Sequence, residues 1–166
     1  MPDKFCKFLG ECGSCTLDMS YEKQVKFKTE LIRRKFEPFY SGEFEFFASQ
    51  SAGYRTRAEF GVWRDGEELR YTMYGAKTKR IFIDECPKVA DPIANLMPRL
   101  LEALAKNQIL KERLFGAEFI SCASGILATL LYHKRLGEAE QGEIESLARE
   151  FAGDRVTIAA RAKGQK

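Results

Sequence analysis

A chain of 166 residues, 45% hydrophobic and 31% charged, can bury one core with a small appendage and is too short for two full domains. It has no apolar run of transmembrane length, and residues 1–10 carry charges where a secretory leader would be apolar, which predicts a soluble cytoplasmic protein without a membrane partner. A net charge of +3 says little about partners, so the grouping of the basic residues has to be read instead.

Residues 1–19 hold Cys6, Cys12 and Cys15 among glycines and have few periodic apolar positions. They read as a loop that needs something other than a core to order it. Ser20 is placed to cap a helix over 21–36, with Val25, Leu31, Ile32 and Phe36 on its apolar face and Pro38 ending it. Residues 43–49 alternate loosely, as a strand would. Residues 54–63 alternate better: Tyr54, Thr56, Ala58, Phe60 and Val62 share one face, and Arg55, Arg57, Glu59 and Trp63 the other. Asp65 and Gly66 signal a hairpin into a strand over 68–74, and a turn near Gly75 leads to a short strand over 80–83. Asp91 and Pro92 open a helix to about 106, as cap and first helical residue. Ile93, Leu96, Met97, Leu100, Leu101 and Leu104 face inward, and Pro98 is expected to disturb the middle. Strands over 117–122 and 126–133, an exposed amphipathic helix over 137–151 and a closing strand over 156–160 complete the chain. The fold class is α+β: a mostly antiparallel sheet with flanking helices and an N-terminal cysteine-rich loop.

Basic residues recur at Arg33, Arg34 and Lys35, at Arg55 and Arg57, at Lys77, Lys79 and Arg80, at Lys134 and Arg135, and at Arg161, Lys163 and Lys166. One face carrying most of them would attract phosphate; scattered, they are ordinary solvated charge.

Five cysteines in a cytosolic chain argue against a disulfide framework. Cys6, Cys12 and Cys15 form C-x5-C-x2-C, and Cys86 stands before Pro87 much further on. Three thiolates in a glycine-containing loop with a distant fourth beside proline suit a four-cysteine iron–sulfur cluster. Zinc is the competing ligand, although its sites more often show two C-x2-C knuckles, and unrelated free thiols are the third reading. Cys122, inside an apolar strand, reads as a small buried hydrophobe.

With these residues in view, the chain resembles the RNA uracil-5-methyltransferases. YRTRAEFGVW over 54–63, LKERLF over 110–115 and LLYHKR over 130–135 resemble three phrases of the tRNA branch, in the same order. The cysteine motif is similar to the cluster motif of the ribosomal-RNA branch, whose four ligand positions fall on Cys6, Cys12, Cys15 and Cys86. The resemblance implies a [4Fe-4S] cluster, with zinc as the alternative, and the T-arm of tRNA as partner, or ribosomal RNA. It implies RNA contact by Phe115 and His133, since splayed bases stack on aromatic and imidazole faces. Lys134, Arg55 and Arg57 are placed to hold phosphate, with Arg135 beside them. Gly61 stands where the tRNA branch carries an arginine.

The family's reaction needs a cysteine nucleophile for C6 of uracil, S-adenosylmethionine as methyl donor, and a base for the C5 proton. No segment resembles the glycine-rich loop or the nucleophile motif of that machinery, so no catalytic residue is assigned. The expectation is a cluster-binding loop (residues 1–19) on an α+β RNA-recognition domain (residues 20–166), monomeric, without the S-adenosylmethionine-binding domain. By itself it is expected to be inactive. A stand-alone RNA-binding module of the same ancestry is the other expectation.

Overall fold

A computed structural model of the chain describes residues 6–75, 79–162 and 164–165. The first five residues of the cysteine-rich loop, and Lys77, Lys163 and Lys166 of the basic groups, lie outside the described residues. Helix α1 spans Tyr21–Phe36, and Ser20 caps it by accepting from the Lys23 N–H. Arg33, Arg34 and Lys35 in its last turn oppose the negative end of the helix dipole. The sheet comprises β1 (Arg57–Asp65), β2 (Glu68–Tyr74), β3 (Arg80–Ile83), β4 (Leu114–Cys122), β5 (Gly125–Tyr132) and β6 (Val156–Ala162), with α2 (Asp91–Lys106) and α3 (Glu138–Phe151) inserted.

The strand order is β3-β2-β1-β4-β5-β6. All neighbours are antiparallel except β5 and β6, which α3 joins in parallel. Gly66 takes a φ of 64° at the first central position of the two-residue β1–β2 hairpin, where a side chain would be strained. Both α2 and α3 cover one face of the sheet, because the apolar alternation of every strand points there. Ile93, Leu96, Leu100 and Leu104 of α2, with Leu147 and Phe151 of α3, meet Phe60, Tyr71, Phe119, Leu130 and Ile158 in one core. At its centre the rings of Phe60, Tyr71 and Phe119 lie 5.8–6.3 Å apart. The Tyr71 hydroxyl donates to the Met97 carbonyl at 2.9 Å and so pins α2 to the sheet, and burial pushes that phenol far above its ordinary value.

Four local expectations are corrected. Residues 43–49 form no strand; their alternation has no neighbouring ladder to satisfy the backbone groups, and alternation without a partner does not make a sheet. Ala90, not Asp91, is the N-cap of α2, which puts Asp91 in the first turn. Pro98 leaves α2 continuous: it and Ala94, whose carbonyl loses its helical partner, are both exposed, so water can take that bond. Cys122 is exposed rather than buried, because it falls on the sheet face that no helix covers. Its thiol contacts the Ser124 hydroxyl at 3.1 Å, and that bond holds it below its ordinary value. No helix among the described residues is long and apolar enough to cross a membrane.

Candidate nucleic-acid interface and cysteine cleft

The loop between α2 and β4 prepares the first part of the site. The Asn107 side-chain oxygen accepts from the N–H groups of Ile109 and Leu110 at 3.1 and 3.0 Å, starting a tight turn. Tyr132 donates its hydroxyl to the Leu110 carbonyl at 2.8 Å. The buried ammonium of Lys111 reaches Glu67, at the β1–β2 hairpin, at 2.9 Å. Arg113 then turns the chain with a left-handed φ of 57°, and its carbonyl accepts from the His133 N–H at 3.0 Å. A register shift between Leu114 and Gly116 leaves Phe115 outside the regular ladder, and such a bulge re-aims a side chain. The result is a stacked pair: the Phe115 and His133 rings lie 3.6 Å apart and 16° from parallel. His133 is exposed, and Phe115 keeps 37% of its surface in solvent.

Lys134 follows His133 but points elsewhere. Its ammonium lies 3.0 Å from Glu140 and 3.3 Å from Glu112, with only 17% of the side chain exposed. Burial alone would pull that ammonium down, but the hydrogen bonds to Glu140 and Glu112 outweigh it and hold it above its ordinary value. Lys134 therefore braces the chain behind His133 and presents little free charge to a phosphate. Arg135 is exposed.

Glu140 is the other half of that brace. The Lys134 hydrogen bond, then the N–H groups of Gly137 and Glu140, hold its carboxyl below the ordinary 4.5. A depressed carboxyl contributes stability that is fully present above its unfolded value and fades as pH falls through the folded one. The difference in melting temperature between the chain and Glu140→Gln should stay constant from pH 7 to about 5 and shrink below pH 4.5. A constant difference down to pH 3 would contradict the brace.

Arg55 and Arg57 occupy a different place. Arg57 starts β1 on the helix-free face, where its Nε and one terminal nitrogen both donate to Glu118 Oε1, at 2.9 and 2.6 Å. The arginine side chain is 72% exposed against 11% for the glutamate, so Glu118 orients the guanidinium and leaves its other edge in water. The cross-strand pair nearest Phe115 is Gly61 with Gly116. That lies four residues along β1 from Arg57, roughly 13 Å at about 3.3 Å per residue. Arg55 is further still: it bonds through its backbone to Lys88 and Ala90 and lines the cysteine cleft. The expected RNA residues thus form two groups at opposite ends of one sheet. Sequence reading missed Glu118, Glu112 and Glu140, which pair across as many as 61 positions and leave no local signal. Arg80, read in the sequence as one of the grouped basic residues, lies with its guanidinium 3.5 Å over the half-exposed ring of Trp63, a pairing that the sequence did not signal.

The cysteine-rich loop is laid against the open end of β2 and β3. Cys12 bridges Gly75, and the Gly13 N–H donates to the Tyr74 carbonyl at 3.1 Å. Both glycines are required by that approach: a Cβ on Gly75 would collide with the Glu11 carbonyl, and one on Gly13 with that of Tyr74. Lys7 reaches Asp84 at 2.7 Å, and Lys88 reaches the Ser14 hydroxyl at 2.6 Å. Cys6, Cys12, Cys15 and Cys86, all partly buried, line one cleft of about 460 Å³. Burial pushes the Cys6 thiol up, the Phe8 backbone bond lowers it, and Cys86, Cys15 and Cys12 each raise it, so the other three thiols lie within its electrostatic reach. Among the described residues no three His, Cys, Asp or Glu side chains gather closely enough to hold a single metal ion. Four thiols lining one cleft match an iron–sulfur cluster in donor type.

A family model described as tRNA (Uracil-5-)-methyltransferase matches residues 20–166. A tRNA/tmRNA (uracil-C(5))-methyltransferase of Campylobacter concisus is 53% identical over 162 residues, covering 97% of this chain and 43% of the relative. Relatives with the same description from Campylobacter curvus and Sulfurimonas denitrificans are 48% and 41% identical, again over 97% of this chain, and over 43% and 44% of their own lengths. The chain spans less than half the length of these relatives.

Proposed function

The chain belongs to the tRNA (uracil-5-)-methyltransferase family, and from that premise we propose that it is the substrate-recognition part of an S-adenosylmethionine-dependent methyltransferase acting on a uridine of the tRNA T-loop. The observation that carries this reading is the stacked Phe115–His133 pair, held out from the sheet by a bulge and braced from behind. Exposed aromatic planes bind unstacked bases and have little use for a closed duplex. Arg57, mostly exposed on the helix-free face, takes backbone phosphate. Lys134 serves the pair by positioning rather than by contact. The description shared by the relatives favours tRNA over ribosomal RNA.

In this reading residues 1–19, together with Cys86, carry a structural [4Fe-4S] cluster on Cys6, Cys12, Cys15 and Cys86. A zinc ion needs its thiolates within one coordination sphere, about 2.3 Å from the metal, whereas a cluster spreads its ligands over a larger body. The cluster would tie the loop to the sheet beside Arg55. S-adenosylmethionine supplies the methyl group in this family, and no residue of this chain is assigned to it or to catalysis.

The direct test is RNA binding measured by fluorescence anisotropy. A T-arm hairpin should bind at least tenfold more tightly than a duplex of the same stem without its loop. Equal affinity for the two would reduce the site to backbone electrostatics and reject loop recognition.

A further inference from the structure

The sheet face that α2 and α3 leave uncovered carries a second aromatic group. Gly61, Trp63, Arg70 and Thr72 point there, because they alternate with Phe60, Val62, Leu69 and Tyr71 of the core. Arg80 and Phe82 of β3 pair with Tyr74 and Thr72 and share that face. Arg80 starts two strands away from Trp63, yet its guanidinium carbon lies 3.5 Å over the indole ring. The two side chains can meet only across β2, above Gly61 and Thr72. Gly61 keeps that space open, since a Cβ there would meet the Thr72 hydroxyl. Thr72 is buried although no helix covers it, as the crossing side chains require. A separation of 3.5 Å is that of stacked planes, so the N–H donors of Arg80 point sideways past the ring.

We propose that Arg80, carried on the Trp63 ring, is a further RNA-binding residue, which takes a backbone phosphate of the RNA beside the Phe115–His133 stack. The inference rests on the reading of the chain as the RNA-recognition part of a uracil methyltransferase. Position and charge both select this residue. Leu114 and Tyr132 point into the core, so Phe115 and His133, which follow them, project on the uncovered side. The bulge sets Phe115 on the Trp63 side of the Gly61–Gly116 pair. Trp63 stands two residues along β1 from that pair, about 7 Å at 3.3 Å per residue, and Arg57 four residues away in the other direction. Glu118 holds Arg57, Glu67 holds Arg64, and Glu68 and Asp65 hold Arg70. Among the described residues no carboxylate pairs with Arg80. A guanidinium already ordered on a ring loses little freedom on binding, and its planar fork matches phosphate. Around it Trp63 keeps 43% and Phe82 37% of its surface in solvent. A nucleotide offers such a face both a phosphate and a flat base, whereas an acidic peptide offers only charge.

Trp63 is the single tryptophan of the chain, so its fluorescence reports on this place directly. Titration with the T-arm hairpin should change that emission with the same midpoint as the anisotropy. Arg80→Gln should weaken hairpin binding about fivefold, and should lower the slope of log affinity against log salt by about 0.7–0.9, the loss of one phosphate contact. Arg80→Lys keeps the charge and should restore the slope but not the full affinity, because an ammonium lacks the planar fork. An unchanged slope in Arg80→Gln overturns the proposal, and with a lowered melting temperature it makes the contact to Trp63 structural only. An emission unmoved by the hairpin overturns it too. So does an equal response to polyglutamate, which assigns the face to an acidic peptide. The stem duplex without its loop is run alongside. Tighter hairpin binding with no effect of Arg80→Gln rejects Arg80 and leaves loop recognition standing. Equal binding of hairpin and duplex, with the Arg80 effect present on both, retains the phosphate contact and rejects loop recognition.

Discussion

Replacing Phe115 and His133 together by alanine is expected to weaken T-arm hairpin binding about tenfold to a hundredfold, with the fold intact. The rings lie against each other at 3.6 Å, so a base that joins the stack gains a ready-made plane. Stacking of one base on an aromatic side chain is worth roughly 1–3 kcal/mol, and every 1.4 kcal/mol is about a factor of ten. Neither ring belongs to the core, so the melting temperature should move little. His133→Phe keeps a plane and should retain most of the affinity, while Phe115→Leu keeps the bulk without it and should not. Hairpin binding by the double alanine variant within twofold of the parent would remove these residues from the interface. The reading of this face would then fall back on Arg57.

The second large effect concerns the cysteine cleft. Chain prepared without oxygen and supplied with iron and sulfide is expected to be brown and to hold roughly four irons per chain. Cys86→Ser should lose most of that iron and the colour. Cys86 is the ligand that matters most to architecture: it stands 71 positions beyond Cys15 and would join the N-terminal loop to the segment that runs into α2. Without that join, the loop keeps its glycine-mediated backbone contacts, the packing of Phe8 on the core, and exposed polar pairs such as Lys7 with Asp84 and Lys88 with Ser14, which are worth little. It should then be cut by a protease several times faster than in the loaded chain. Cys122→Ser serves as the control and should leave iron content unchanged, because Cys122 is not among the residues lining the cleft. Colourless protein carrying one zinc per chain would assign the thiols to zinc. Full iron content in Cys86→Ser would remove Cys86 from the ligand set.

Much of this molecule could be read from residue order alone. The 3.6-residue rows of α1 and α2, the alternation from Ala58 to Val62, the Asp65-Gly66 turn and the Ser20 cap are all local. Each element stabilises itself through contacts within a few positions, so its residues announce it. The family was legible in the same way, through short phrases such as YRTRAEFGVW. The four cysteines were legible as a group from their spacing, and the structure lines one cleft with them.

What only tertiary structure decided depends on which distant segment lies opposite. Alternation over 43–49 predicts a strand, but a strand exists only where another strand completes its hydrogen bonds, and none does there. Cys122 is as apolar in context as a core residue, yet the sheet turns it to the uncovered face. Lys134 and Arg57 look like free cations in a row of letters. Glu140 and Glu112 commit the first to a brace, and Glu118 orients the second from 61 positions away. Phe115 and His133 were named as a pair by resemblance; the left-handed turn at Arg113 and the bulge beside Gly116 bring their rings together. A sequence determines the elements that local energies can specify. Charge pairing, exposure and stacking are set by long-range contacts, and for this protein those contacts determine which of the expected residues are exposed and which are committed to a partner within the fold.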